Sequence, residues 1–156
     1  MRAAVLTIGC LIGGLVVGVL LVPEGEVATL ATVAADGVEY ETQVWVVQGD
    51  GLPDASAGVV FLRAGSPEAS WLERLRARPQ VALERGEERR AYLAVPEDDA
   101  ALRERVNRAM ASKYGVSDRL IALVFDRGRS VPIRLVPDPG RQHELSEPAG
   151  AHAPPH

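Results

Sequence analysis

Hydrophobic and polar positions divide this chain into three parts. Residues 3–22 form an apolar run with no charged residue, and crossing a bilayer takes a helix of about 20 residues. A single segment can satisfy its backbone hydrogen bonds in lipid only as a helix, so residues 1–23 are predicted to be a transmembrane anchor. Residues 24–137 mix apolar and polar positions as a soluble domain does. Residues 138–156 offer little to bury and are predicted to be a disordered tail.

Two other interpretations of the apolar run stay open. A cleaved signal peptide begins with a basic residue, which Arg2 supplies, but it has a shorter core and a small-residue cleavage site. A lipoprotein signal needs a small residue before a cysteine, as in Gly9-Cys10. Basic residues stay on the cytoplasmic side, and Arg2 is the only one near either end of the run. We therefore expect a single-pass protein of a bacterial cell membrane whose domain faces outward.

Strand patterns dominate the first half of the soluble part. Residues 27–33 are rich in β-branched residues, and Asp36-Gly37 then gives a strong hairpin signal. In the returning strand, residues 38–47, Thr42 and Val44 face one side, and Gln43 and Trp45 face the other. A polar loop over residues 48–58 precedes a third strand at 59–63.

Helix and strand signals alternate in the second half. Ser66-Pro67 is typical of a helix start, and Pro79 ends that helix. Two strands at residues 81–84 and 89–95 come next, and Asp98-Asp99 caps a second helix that stops near residue 115. Residues 120–125 fit a short helix or a strand. Pro132 interrupts the final strand, 131–136, and indicates an edge or a bulge. The order predicts a mainly β (α+β) fold, a closed barrel of about six mostly antiparallel strands with two or three helices.

Composition excludes several kinds of chemistry. The net charge is −4, with acids and bases interleaved, so no basic stripe for nucleic acid is present. The arginines of the central region are expected to form a solvated face paired with nearby glutamates: Arg74, Arg76, Arg78, Arg85, Arg89 and Arg90. The single cysteine, Cys10, lies in the apolar run, which excludes a disulfide framework and a CxxC pair. All three histidines lie after residue 142, so the domain has no histidine base or metal ligand, and no phosphate-binding glycine motif occurs.

Residues 28–137 resemble the flavin-binding split barrels related to pyridoxamine-phosphate oxidase, and within these a family of small bacterial proteins of undefined function. The resemblance is carried by Asp36-Gly37 and four further segments taken together in order and spacing. These are Thr42-Gln43-Val44-Trp45-Val46-Val47, Ser70-Trp71-Leu72-Glu73-Arg74-Leu75, Ala109-Met110-Ala111-Ser112-Lys113-Tyr114-Gly115 and Ile133-Arg134-Leu135-Val136-Pro137.

The resemblance implies a homodimer with a cofactor site between the barrel and the partner subunit. Such proteins bind FMN, a deazaflavin coenzyme, haem or no cofactor, and they perform two-electron redox chemistry or carry a ligand. By this resemblance the strand with Thr42, Gln43 and Trp45 lies along the cofactor ring. Arg63 and Ser66 reach its phosphate or ribityl chain, and Lys113 and Tyr114 close the site, with Tyr114 as candidate proton donor.

Two function classes follow. The first is a membrane-tethered oxidoreductase that uses a flavin or deazaflavin on a small organic substrate. The second is a non-catalytic barrel that binds a small ligand or a partner without a cofactor. The second is favoured by the entry of the second strand, where Asp36, Glu39 and Glu41 would repel a phosphate and no Lys or Arg occurs. The alternative interpretation makes Trp45 a core residue, Arg63 a solvated strand end, and Lys113 and Tyr114 a helix terminus.

Overall fold

The computed structural model describes residues 26–49, 51–54 and 57–146. Within them, six antiparallel strands close into a barrel in the order β1-β2-β3-β6-β5-β4. The strands are β1 (Val27–Val33), β2 (Glu39–Val47), β3 (Val60–Ala64), β4 (Gln80–Arg85), β5 (Glu88–Pro96) and β6 (Val131–Pro137). The helices are α1 (Ser70–Ala77), α2 (Ala100–Ile121) and α3 (Pro139–Ser146). The predicted antiparallel, mainly β barrel is therefore confirmed.

The hairpin between β1 and β2 forms where the Asp-Gly pair predicts it. Gly37 adopts a φ of 87°, which a residue with a Cβ rarely tolerates. The Asp36 carboxylate accepts a hydrogen bond from the Val38 backbone N–H at 3.0 Å. This turn sets the register that pairs Thr29 with Gln43 across the two strands.

The barrel interior is filled by apolar side chains. Val44 and Val46 of β2 point inward, as the alternation predicts, and join one buried cluster with residues from every other strand. Leu72 and Leu75 of α1 are fully buried in the same cluster. Because side chains occupy this space, a ligand has to bind outside the barrel wall or at its rim.

Helix α2 packs against the outer face of β2 and β3. Val47 and Phe61 form a second buried cluster with Val106, Met110 and Tyr114 of the helix. Trp45, half-buried, packs against the same cluster. The two sides of β2 therefore serve two cores, an inner one and one beneath α2.

The start and the kink of α2 follow from single residues. The Asp99 carboxylate accepts a hydrogen bond from the Leu102 N–H at 2.7 Å and so caps the helix, as predicted. Gly115, with φ 50° and ψ −115°, breaks the regular helix where the sequence predicts its end. A further helical stretch reaches Ile121, which settles the ambiguous segment after residue 120 as helix end and turn rather than strand.

Two local predictions are wrong. Ser66-Pro67 lies in a turn, and α1 begins later, at Ser70, with Ala69 as its N-cap. Pro132 is neither at an edge nor in a bulge, because β6 pairs with both β3 and β5. The register with β5 ends at Ile133, so the N–H that proline lacks falls just beyond that ladder, while the Pro132 carbonyl still accepts a hydrogen bond from Glu97 N–H at 2.9 Å.

The region predicted as a disordered tail begins with a helix. Helix α3 packs on β5, where the Gln142 side chain accepts a hydrogen bond from the Ala91 N–H at 2.8 Å. Residues 147–156 lie outside the described residues, and so does the predicted anchor, residues 1–23. None of the helices in the described part of the chain is long and apolar enough to cross a bilayer.

Candidate functional site

Tyr114 is fully buried beneath the edge of the barrel, and its hydroxyl is engaged in hydrogen bonds. It accepts from the Val46 N–H at 2.9 Å and lies 2.7 Å from the Glu26 carbonyl oxygen and 2.9 Å from that of Val46, to either of which it can donate. Its ring stacks on Trp45 with centroids 4.4 Å apart. Burial raises the pKa of Tyr114 to about 12. A hydroxyl so placed holds α2 against β1 and β2, and its predicted role as a proton donor stays a prediction.

Lys113 belongs to an ion-pair cluster beside Tyr114. Its Nζ lies 3.1 Å from the Glu26 carboxylate and 2.8 Å from the Val46 carbonyl oxygen. Arg85 of β4 contacts the same carboxylate through two nitrogens, one of them at 2.8 Å, and donates to Gln48 at 3.0 Å. The hydrogen bond from Arg85, together with Lys113, lowers the pKa of Glu26 to about 2. The ammonium group of Lys113 is therefore paired with a carboxylate of this chain.

Sequence reasoning missed Glu26 and misplaced Arg85. Arg85 was expected on a solvated face with neighbouring glutamates, but its partner Glu26 lies 59 residues away along the chain. The pairing exists because β1 and β4 are neighbours in the closed barrel. No local pattern in the sequence signals it.

Arg63 lies in a second polar cluster, under the later part of α2. Its Nη2 is 2.5 Å from the carboxylate of Asp118, which is fully buried, and its Nη1 donates to Asn107 at 3.2 Å. Arg127 contacts the other Asp118 oxygen and donates to the Asp118 carbonyl at 3.0 Å. Two guanidinium groups thus share one buried carboxylate. Arg63 is therefore not a solvated strand end, which was the alternative interpretation of the sequence.

Ser66, Thr42 and Gln43 lie apart from both clusters. Ser66 accepts a hydrogen bond from the Glu68 N–H at 3.1 Å and contacts the Glu68 carboxylate, as part of the turn before α1. Gln43 donates to Thr29 Oγ1 at 3.0 Å on the outer surface of β1 and β2. Thr42 is half-buried on the inward side of β2, near the hairpin end. The structure therefore brings together Trp45, Lys113 and Tyr114, and it does not bring Arg63, Ser66, Thr42 and Gln43 to them.

Basic residues from other elements reach the acidic start of β2. Arg89 of β5 pairs with Glu39 at 3.0 Å. Arg74 of α1 lies over the ring of Tyr40, 4.6 Å from its centroid, and donates to Thr32 at 2.9 Å. The negative charge that the sequence shows here is thus partly neutralised in the fold, because the barrel brings arginines from distant segments to the strand.

The described residues also form an open cleft of about 340 Å³ at the rim of the barrel, which we call the arginine cleft. It is lined by three arginines, two acids and three apolar residues: Arg76, Arg103, Arg129, Glu97, Asp98, Pro67, Pro96 and Val131. None of the seven residues predicted from the sequence lines it.

The arginines of the cleft differ in how far they are already paired. Arg103 is held by the Ser130 carbonyl at 2.6 Å and by Asp98 at 2.9 Å. Arg129 pairs with the exposed Glu68 at 2.5 Å. Arg76 makes a single hydrogen bond, to the Pro67 carbonyl at 3.4 Å, and no carboxylate among the described residues pairs with it. Guanidinium groups with free N–H donors bind phosphates and carboxylates strongly, so the cleft suits an organic anion.

No group of His, Cys, Asp and Glu side chains in the described part of the chain could hold a metal ion. A much smaller depression of about 10 Å³ next to Arg63 is walled by Gly65, Phe125 and Arg127. Its basic residues are committed to Asp118, which leaves the arginine cleft as the better candidate for a ligand.

The sequence matches no family model and no curated protein, but known structures share the fold. The conserved hypothetical protein Rv2991 of Mycobacterium tuberculosis superposes with a TM-score of 0.56 at 18% identity, covering 88% of this chain and 93% of its own. A pyridoxinephosphate oxidase family protein of Clostridium acetobutylicum, related to general stress protein 26, gives 0.53 at 13% identity, with 79% and 82% covered. A FAD-binding protein of Mesorhizobium loti gives 0.50 at 16% identity, with 73% and 82% covered.

These neighbours are split-barrel proteins, and the resemblance drawn from the sequence is confirmed at the level of the fold. At such identities the likeness does not extend to particular residues. The six-stranded barrel described above is a split barrel of the kind found in the pyridoxine-phosphate-oxidase-like proteins.

Proposed function

We propose that this protein is a membrane-tethered split barrel that binds a flavin or deazaflavin coenzyme and performs two-electron redox chemistry on a small organic substrate. The observation that carries the proposal is the arginine cleft on a barrel of this fold. A FAD-binding protein and a pyridoxinephosphate oxidase family protein among its structural neighbours support the cofactor class.

The residues of the cleft fit the anionic end of such a cofactor. A phosphate needs cationic donors, which Arg76, Arg103 and Arg129 supply. Pro67, Pro96 and Val131 add apolar wall, and the volume lies at the lower end of the range for small-molecule sites. Arg103, fixed by Asp98 and the Ser130 carbonyl, is a preorganised donor. Arg76 has guanidinium N–H donors left to bind the ligand.

The bound cofactor would supply the hydride chemistry. The residues of this chain would bind and orient the cofactor and shield it from water. Burial raises the pKa of Tyr114 to about 12, so at neutral pH its hydroxyl stays protonated and hydrogen-bonded to the backbone.

The test is a fluorescence titration of the purified full chain in detergent with FMN and with a deazaflavin coenzyme. Binding should be lost or weakened about tenfold or more in Arg76→Gln, since a hydrogen bond to a charged group contributes about 1.5–3 kcal/mol. Arg90→Gln is the matched control, because Arg90 is an exposed arginine paired with the exposed Glu88 outside the cleft. If Arg76→Gln and Arg90→Gln bind the cofactor with equal affinity, the arginine cleft is not the binding site. If the protein binds neither FMN nor the deazaflavin coenzyme, the proposed function is refuted.

A non-catalytic carrier of a small organic anion is the second candidate. It is favoured by the commitment of Lys113, Arg63 and Tyr114 to contacts within the chain. Cofactor binding without turnover of any electron acceptor, or binding of other organic anions in competition at Arg76, distinguishes the carrier from the oxidoreductase.

Two assembly proposals accompany the function. Residues 3–22 tether the domain to the membrane, as their length and lack of charge indicate. The barrel forms a homodimer, which the split-barrel fold favours. Resistance to alkaline carbonate extraction tests the tether, and light scattering of the full chain in detergent tests the dimer.

A further inference from the structure

The turn between β3 and α1 contacts two of the three arginines that line the arginine cleft. The Arg76 guanidinium donates a hydrogen bond to the Pro67 carbonyl at 3.4 Å, and Arg129 pairs with the Glu68 carboxylate at 2.5 Å. Because Pro67 and Glu68 are consecutive residues, both guanidinium groups border the same short stretch of chain.

Glu68 is held in place by its own turn. Ser66 Oγ accepts a hydrogen bond from the Glu68 N–H at 3.1 Å and also contacts the Glu68 carboxylate. The hydrogen bond from Ser66 is the main cause that lowers the pKa of Glu68 below its ordinary value, and Arg129 acts in the same direction. At neutral pH, Arg129 is therefore already paired with an anion of this chain.

The pair between Glu68 and Arg129 can open easily. The two side chains are 64% and 62% exposed, and ion pairs in such positions contribute little to stability because water screens them. Arg103 differs, since the Ser130 carbonyl at 2.6 Å also holds its guanidinium group. An incoming anion therefore gains the most free N–H donors by displacing Glu68.

The charges of the cleft suit a doubly charged ligand once Glu68 has moved away. The two acids that line the cleft are each paired with an arginine at 2.9 Å: Glu97 with Arg134 and Asp98 with Arg103. Arg76 and Arg129 would then be the lining cations without a carboxylate partner among the described residues. A phosphate monoester has about two negative charges and three acceptor oxygens, which is enough for two guanidinium groups.

We infer that Glu68 is an internal competitor for the ligand of the arginine cleft, and that a phosphate monoester group of the ligand displaces it from Arg129. This inference rests on the part of the proposed function that makes the cleft the ligand site. A ligand without a phosphate leaves the ion pair closed, whereas a phosphate that pairs with both Arg76 and Arg129 opens it. Glu68 thus sets the affinity of the cleft for phosphorylated ligands and compensates Arg129 when the cleft is empty.

The test is a calorimetric titration of the purified full chain in detergent with methyl phosphate, FMN and riboflavin. FMN and riboflavin share the ring and the ribityl chain and differ in the phosphate. Glu68→Gln should bind methyl phosphate and FMN about three- to fivefold more tightly, the range of an exposed ion pair, with unchanged affinity for riboflavin. Glu88→Gln is the matched control, because Glu88 and its partner Arg90 are 60% and 56% exposed outside the cleft.

A double variant distinguishes displacement from a general effect of charge. In an Arg129→Gln background, Glu68→Gln should no longer tighten the binding of methyl phosphate, because no ion pair is left to displace. Arg76 and Arg103 still line the cleft in this background, so weakened binding stays measurable at higher ligand concentration. An equal gain in both backgrounds would overturn the inference, since Glu68 would then act only through its charge at a distance.

The outcomes separate this inference from the proposed function. If Arg76→Gln weakens binding but Glu68→Gln binds methyl phosphate as Glu88→Gln does, the displacement is refuted and the cleft remains the ligand site. If Glu68→Gln tightens methyl phosphate binding while neither FMN nor the deazaflavin coenzyme binds, the inference holds and the proposed cofactor is refuted. If none of these phosphates binds, both are refuted.

Discussion

The Tyr114 hydroxyl lies 2.7 Å from the carbonyl oxygen of Glu26, a contact that joins positions 88 residues apart. It ties the first described residue of the chain to α2 just before the kink at Gly115 and so completes the second core, between that helix and the barrel wall. The same hydroxyl accepts from Val46 in β2, so one side chain serves three elements of the fold.

Tyr114→Phe should lower the stability of the fold. The change keeps the stack on Trp45 but leaves the buried Val46 N–H without its acceptor, a loss of about 1–3 kcal/mol. Urea unfolding followed by circular dichroism measures it. Tyr40→Phe is the control, since Tyr40 is 44% exposed and should give an unchanged midpoint. Equal midpoints for the two variants would show that the Tyr114 hydroxyl contributes nothing.

Acid should weaken the fold through Glu26. Its pKa is about 2 in the folded protein against an ordinary value of 4.5, because of Arg85 and Lys113. A carboxylate with a depressed folded pKa stabilises fully above the unfolded pKa, and the contribution disappears as the pH falls from about 4.5 towards 2. Since this ion pair is about a third exposed, screening leaves on the order of 1 kcal/mol or less.

The measurement for Glu26 is the urea midpoint at pH 6 and at pH 3. Glu26→Gln should be less stable than the parent chain at pH 6 and should lose less of its stability at pH 3. Glu104→Gln is the control, because Glu104 pairs with Arg108 on a solvated helix surface. A parent chain and a Glu26→Gln variant with the same acid dependence would contradict the expected role of the cluster.

Asp118→Asn should destabilise the protein more than any of these changes. Asp118 is fully buried and compensates Arg63, whose side chain is only 8% exposed, and it also contacts Arg127. Removing one partner of a buried pair leaves a charge without compensation and costs about 3–5 kcal/mol. A drop in melting temperature of several degrees, against none for Glu104→Gln, checks the expectation. The double variant Arg63→Met with Asp118→Asn should recover part of the loss, whereas a deeper loss would refute the pairing.

Local signals predicted most of the fold, because they act through short stretches of chain. Asp36-Gly37 forms the hairpin, the alternation around Val44 and Trp45 separates the two cores, and Asp99 caps α2. The errors have local causes too. Ser66 binds its own turn instead of capping a helix, and Pro132 is tolerated in a paired strand because the ladder with β5 ends one residue away.

The candidate site could not be predicted in the same way. Arg63 meets Asp118 across 55 residues because α2 packs against β3, and Arg85 meets Glu26 across 59 because β1 and β4 are neighbours in the closed barrel. A chain with many arginines and glutamates offers numerous alternative partners of equal charge. The arginine cleft is likewise assembled from Arg76, Arg103 and Arg129, which belong to three separate segments.

Gly115→Ala should disturb the end of α2 as a unit. With φ 50° and ψ −115°, Gly115 has a backbone conformation that a residue with a Cβ adopts only under strain, of order 1–3 kcal/mol. Relief of that strain by straightening the helix would move Asp118 away from Arg63, so hydrogen exchange over residues 116–121 should accelerate along with the loss of stability.

Gly140→Ala in α3 is the matched control, since its added Cβ would meet only the Asp138 carboxylate at an ordinary 3.5 Å. Because alanine favours a helix over glycine, that control should be neutral or slightly stabilising. Equal behaviour of the two alanine variants would mean that the kink at Gly115 carries no strain and does not position Asp118.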